Sequence, residues 1–373
     1  MPELSPAPIP NDADIQLRNR CTRWLSGHRP LRSMRESLTA LAAVPESEGA
    51  LDVYGDGALM QDLEHEVASL LGKPAGRFFH KGVAAQLAAV RVYAEGRPGA
   101  PVAMHPQSHI AIDEAEAYAQ LMGLRAAMVG EPDAPITLAQ LQALTERPAV
   151  VVIELPLRRG GFRLPEWAEL AAISAWCRAE GVPLHFDGAR LWESAPHYGR
   201  SLQEIAALAD SVYVSFYKGL GGLAGCVLAG PEDFVASTKP WQSRLGGDLF
   251  TAYPMVLSAR AGLQAQRPRM AGYRERARQL AAALQAVPGF AVAPERPHIN
   301  SFQLHLPAAS PERLREALLE LARREGFWLG ARAAASSRPG CAMVEIVIGD
   351  AADGWQDAEA VALLRAASGA ARD

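Results

Sequence analysis

An aspartate and a lysine, Asp187 and Lys218, stand 31 positions apart in HFDGAR (His185 to Arg190) and YKGLGG (Tyr217 to Gly222). Each motif closes a short apolar run, VPLHFD and SVYVSF, that reads as a buried strand. Between them SLQEIAALA has helical spacing, so the unit reads β-α-β, with a carboxylate and an amine at the same ends of two strands. Open α/β sheets bind ligands outside the carboxyl ends of their strands, so both side chains point into one crevice. A buried acid that can face a pyridine nitrogen, and a lysine that can form an imine, are the two groups pyridoxal phosphate (PLP) needs from a protein. Lys73, Lys81, Lys218 and Lys239 are the lysines of the chain, so few residues compete for the covalent role.

The amine of Lys218 must be neutral to attack an aldehyde, and desolvation at a strand end favours that form. Asp187 would keep the ring nitrogen protonated, which makes the ring an electron sink for a carbanion at the substrate Cα. Taken singly, a lysine at a glycine-rich turn and an aspartate capping a turn have plainer structural readings; their pairing at this spacing favours the chemical one. Arg190 can reach the cofactor's phenolate oxygen or a substrate carboxylate by a forked contact, or it can pair with a neighbouring acid such as Glu193.

Those side chains need a scaffold, and the chain has the composition for one. Its 373 residues are 49% hydrophobic and 21% charged, the profile of a globular protein long enough for two cores. A net charge of −4 gives no basic field for nucleic acid or an anionic membrane. No run of 18 uncharged apolar residues occurs, and MPELSPAPIPNDAD has no basic-then-apolar signal, so a cytoplasmic location is expected. Cys21, Cys177, Cys226 and Cys341 match no metal spacing and read as reduced fillers; no metal site is expected. A nucleotide-binding dehydrogenase is disfavoured, because no G-x-G-x-x-G opens an early βα turn.

Strands and helices alternate from 76 to 230, which predicts a mostly parallel sheet covered on both faces. Helical patterns are expected at 30–45, 57–72, 83–95, 112–122 and 165–181, and one long one from after Asp248 to about 286. Cys226 to Gly230 reads as a returning strand. The last third has strands at 302–307, FWLGA and AMVEIVIG, with helices at 310–325 and the end, a segregated α+β block. The expected domains are a flexible arm (1–14), an N-terminal segment packing with the small domain (15–50), a large PLP-binding domain (51–252), and a linking helix with a small C-terminal domain (253–373).

The motifs resemble the threonine aldolase group of the β-eliminating lyase family, PLP enzymes of fold type I. HFDGAR and YKGLGG carry most of the likeness, joined by Asp52-Val-Tyr-Gly-Asp56 and by Phe78 to Leu87 where the family has its phosphate-binding turn. The likeness runs from about 25 to about 265. It implies a large domain with a mostly parallel, seven-stranded-type sheet, a smaller α+β domain, and a homodimer or homotetramer. It further implies that His109, in an H-x-x-x-x-E segment ending at Glu114, stacks on the cofactor and moves protons at the substrate. The Lys81-Gly82-Val83-Ala84 turn would hold the phosphate on helix N–H groups, with Arg244 as a second source of charge. Tyr54 would border an active site, that of a partner subunit, or else hold the Gly55 bend.

The chain departs from the family at several places. Lys81 and Val83 replace the hydroxyl residues around the phosphate-site glycine, and Phe250 stands where an arginine usually follows a glycine pair. Leu157 stands where the family has a histidine, and Glu345 aligns with the arginine that holds the substrate carboxylate. The implied reaction is retro-aldol cleavage of a β-hydroxy-α-amino acid to glycine and an aldehyde. Two alternatives stay open: β-elimination or another Cα-carbanion reaction on a divergent amine, and a PLP-fold protein that binds without turnover.

Overall fold

The structure is a computed structural model that describes residues 11–372. Two compact units make up the chain: the segment through Ser37 with Arg269–Asp373, and Leu38–Pro268. The expected boundaries were 50/51 and 252/253. The mobile arm expected over 1–14 lies mostly outside the described residues. Its last part is ordered: Asn11 accepts the Asp14 N–H at 3.0 Å and caps the helix Asp12–Arg20.

The larger unit is built on a seven-stranded sheet. In chain order its strands are β1 (Ala75–Phe79), β2 (Val102–Met104), β3 (Ala126–Met128), β4 (Val150–Glu154), β5 (Leu184–Asp187), β6 (Ser211–Ser215) and β7 (Cys226–Gly230). Across the sheet they run β1-β7-β6-β5-β4-β2-β3. β7 is antiparallel to both neighbours and the remaining pairs are parallel. β4 to β7 are almost wholly buried, which is why they read as continuous apolar runs rather than alternating ones.

Parallel pairing sets the row on which the site stands. Glu154 pairs with Asp187 and Asp187 with Tyr213, so the three side chains share one face, Glu154 and Asp187 at the carboxyl ends of β4 and β5 and Tyr213 midway along β6. One row down, His185 pairs with Ser211 and bonds its hydroxyl from Nδ1 at 2.7 Å, while Nε2 meets Gln86 at 2.6 Å. Gln86 lies on the helix Gly82–Glu95, whose Ala84, Ala85, Ala88 and Ala89 are buried with Phe79 and Tyr213. Small side chains let that helix approach the sheet closely, with its N-terminus above the active row.

Several expected helices are shorter than their patterns. The stretch 112–122 is two single turns, His109–Ile112 and Ala117–Gln120, separated where Ala115 and Glu116 take left-handed φ of 50° and 55°. The pattern after Asp248 is two helices, Tyr253–Gln266 and Met270–Gln285, because Pro268 cannot donate within the Arg267–Arg269 turn. The helix Tyr253–Gln266 therefore belongs to the larger unit, where buried Asp52 accepts the N–H groups of Ala252 and Tyr253 at 2.8 Å each and so caps its start. The helix Glu232–Arg244 was not anticipated, since Pro240 interrupts its pattern.

The smaller unit holds a four-stranded antiparallel sheet ordered Ala334–Ala335, Cys341–Val347, Ser301–Pro307, Ala291–Ala293. The FWLGA strand reduces to Phe327–Trp328, paired in parallel with Arg23–Trp24 from the N-terminal segment. Among the described residues no helix is long and apolar enough to cross a membrane.

Candidate active site

The turns after β5 and β6 are tied together, which fixes the distance between the acid and the amine. Ser215 donates its hydroxyl to the Ala189 carbonyl at 2.8 Å, and the Trp192 indole donates to the Ser215 carbonyl at 3.0 Å. Asp187 is 3% exposed, and its Oδ1 accepts the Ala189 N–H at 3.1 Å. Glu193, from the helix Leu191–Tyr198, packs so closely on Gly219 that a Cβ there would lie 2.1 Å from its Oε1. A side chain at Gly219, beside Lys218, would have to displace the Glu193 carboxylate.

Lys218 is therefore held in a partly buried niche among charges of both signs. Burial and the neighbouring Arg190 guanidinium pull its pKa down to about 8, against the pull of Asp187, Glu154 and Glu193 toward the charged form. An amine so poised is a competent nucleophile near neutral pH.

His109 opens the single turn after β2. Its N–H donates to Glu154 Oε2 at 2.9 Å, and its Nδ1 meets Glu114 Oε1 at 2.8 Å. Burial opposes a charge on the ring, but the Glu114 hydrogen bond and the charges of Asp187 and Glu114 outweigh it and raise its pKa. With Nδ1 engaged, Nε2 is the nitrogen left for exchange with a substrate. Burial also pushes Glu154, Glu114 and Glu193 upward, Glu154 further because Asp187 stands beside it. His185 beneath them is driven the other way, to about 4, by burial, so it stays neutral.

The other expected site residues are placed as follows. The Arg190 guanidinium lies over the Phe162 ring, 5.2 Å from its centroid, and is not paired with Glu193. Gly82 and the half-buried Val83 begin the helix Gly82–Glu95, with exposed Lys81 at the N-cap making no side-chain capping bond. Arg244 is exposed at the end of its helix and stacks on Trp241 at 4.4 Å; no contact joins it to Lys218, Asp187 or the Gly82 turn among the described residues. Tyr54 is 62% exposed, with left-handed φ of 50°, and sits edge-on to Phe250 at 5.5 Å. Glu345 belongs to the smaller unit, opposite Gln303 on the less buried face of its strand. Leu157 is buried against Gly160.

Glu154, His185, Gln86, Tyr213 and Tyr217 join the site without having been given a role from the sequence, and Glu193 was named there only as a possible partner of Arg190. Glu154 ends VVVIE as Asp187 ends its own strand, a signal that strand register would have supplied. Gln86 and Glu193 reach the site by tertiary packing alone.

The donor set fits PLP. An amine of lowered pKa, a buried carboxylate with Oδ2 left to hold a ring N–H, a histidine beside them and a helix N-terminus with no cap from Lys81 are the complements of its aldehyde, pyridinium nitrogen, ring face and phosphate. A β7-antiparallel sheet with this acid–lysine pair at its carboxyl edge defines a fold type I PLP protein. The chain belongs to the β-eliminating lyase family, whose model matches residues 28–307. It is 35% identical to a putative L-allo-threonine aldolase of Listeria monocytogenes EGD-E, covering 95% of this chain and 98% of that one with a TM-score of 0.87. It is also 33% identical over 243 residues to Aldolase vrtJ of Penicillium aethiopicum, spanning 63% of this chain and 61% of that protein. With the low-specificity L-threonine aldolase 1 of Arabidopsis thaliana it shares 27% identity over 274 residues, 71% and 75% of the two chains.

The depressed Lys218 pKa yields a measurable outcome. Only the neutral amine captures the cofactor aldehyde, so the capture rate should climb between about pH 7 and 9 and level off above, where an ordinary lysine would continue toward about 10.4. Lys218→Ala should lose the borohydride-reducible link and its visible absorbance, while Lys73 and Lys239 substitutions keep it. A reducible link surviving in Lys218→Ala would remove Lys218 from the role.

Proposed function

We propose that this chain is a threonine-aldolase-like carbon–carbon lyase, cleaving a β-hydroxy-α-amino acid into glycine and an aldehyde. The observation that carries the reading is the His109–Glu114 pair beside Asp187 and Lys218, because retro-aldol cleavage needs a base at the β-hydroxyl as well as an electron sink at Cα. The sink is what bound PLP supplies, receiving the electron pair of the breaking Cα–Cβ bond. Lys218 would hold the cofactor through its amine, which burial and Arg190 bias toward the neutral, nucleophilic form. Asp187 keeps the ring nitrogen protonated. His109, through Nε2, takes the β-hydroxyl proton as the aldehyde departs, and Glu114 at Nδ1 orients the ring and stabilises the imidazolium. A proton returned to Cα completes glycine. Arg190, which forms no ion pair with a carboxylate among the described residues, is suited to the substrate carboxylate.

A second reading, β-elimination from a related amine, is favoured by one feature: Leu157 offers no proton-exchanging group where the resemblance places a histidine. Product analysis separates the two. Incubated with threonine and allo-threonine, the purified protein should form glycine and acetaldehyde in equal amounts, and His109→Asn should lower kcat/KM by about 10²–10⁴ with cofactor retained. Ammonia and 2-oxobutanoate as the main products would favour elimination, and an unchanged rate in His109→Asn would exclude it as the base.

The active form is proposed to be a homodimer or a dimer of dimers. Support comes from the exposed apolar residues Leu51, Val53, Tyr54 and Phe250, gathered at the Asp52 cap of the Tyr253–Gln266 helix. Sedimentation at assay concentration should find at least a dimer. A fully active monomer would contradict it.

A further inference from the structure

The Gly82 turn is flanked by Lys81 and Val83, so no hydroxyl from its own segment is available to a bound phosphate. Two hydroxyls reach the same place from elsewhere. Tyr213, in the row of Asp187, is 2% exposed, and a Cβ at Gly82 would lie 2.1 Å from its oxygen. Tyr217, immediately before Lys218, brings its hydroxyl to 3.4 Å from that of Tyr213, and the Gly82 N–H donates toward it. The Lys81 ammonium sits 5.5 Å from the centre of the Tyr217 ring. The N-cap residue Lys81 makes no side-chain capping bond to that helix.

We propose that the Tyr217 and Tyr213 hydroxyls, with Lys81 beside them, form the phosphate cradle for the cofactor in this chain. The inference rests on the PLP assignment and adds which residues grip the phosphate. At 3.4 Å the two phenols are further apart than an O–H···O bond of ordinary strength, so an anion is a better partner for each than the other phenol. Burial raises the pKa of both, so both keep their protons and can donate to a dianion. Because Tyr217 and Lys218 are consecutive, gripping the phosphate also orients the backbone that carries the amine.

The plainer account makes both tyrosines packing residues, and a comparison of PLP with pyridoxal, which lacks the phosphate, decides between them. Binding of each aldehyde to full-length wild type, Tyr217→Phe and Tyr213→Phe is followed by absorbance at dialysis equilibrium. The link to Lys218 is common to both ligands, so the PLP-to-pyridoxal affinity ratio isolates the phosphate. Tyr217→Phe should weaken PLP about tenfold or more (about 1.4 kcal/mol) and leave pyridoxal within about twofold. An unchanged ratio, whether both ligands weaken together or neither does, would overturn the cradle. If Tyr217→Phe does not fold, Lys81→Met, at an exposed position, is read by the same ratio: a fall supports the cradle and an unchanged one overturns it. A wild type that binds neither aldehyde would remove the cofactor assignment and the cradle with it.

Discussion

The burial of Asp187 at the end of a parallel strand is the constraint on which the rest of the larger unit depends. A carboxylate there is cut off from water, and register places a second one, Glu154, directly beside it. Two adjacent buried negative charges are unfavourable unless one is neutralised or a cation answers them. The chain uses both routes. Glu154 is pushed toward its neutral form, and Lys218, His109 and Arg190 converge on the same crevice from three different turns.

That balance explains why the surroundings are so heavily bonded. Ser215 and Trp192 lock the β5 and β6 turns to each other, and Glu154 holds the His109 turn through its N–H. His185, neutral and bonded at both nitrogens, fills the row beneath without adding charge. Glu114 and Glu193 each leave one buried oxygen without a partner, a cost accepted where function needs polar groups in place. The surroundings lower the Lys218 pKa to about 8, where covalent chemistry becomes accessible, and raise that of His109.

Much of this was legible in the sequence, for a physical reason. Asp187 and Lys218 lie at the ends of buried strands, and strand ends are marked by apolar runs that stop at polar residues; the β-α-β spacing then fixes their common side. The helices were less legible. Ala115 and Glu116 break one at left-handed residues that carry no glycine signal, and Pro240 conceals another that tolerates it. The electrostatic partners were largely hidden, since Gln86 and Glu193 come to the site by packing of separate elements. Arg244, which its motif suggested for the phosphate site, lies exposed with its guanidinium over Trp241, three residues before it on the same helix.

The central claim is that Asp187 serves the cofactor ring rather than merely capping a turn. It is tested most directly by the turnover of Asp187→Asn with PLP bound. Asparagine keeps the size and can still accept the Ala189 N–H, but it cannot hold a proton on a pyridine nitrogen. The account predicts a protein that folds and retains its cofactor absorbance, with kcat reduced by two to three orders of magnitude, roughly 3–4 kcal/mol. A rate within about tenfold of wild type, ~1.4 kcal/mol, would contradict it.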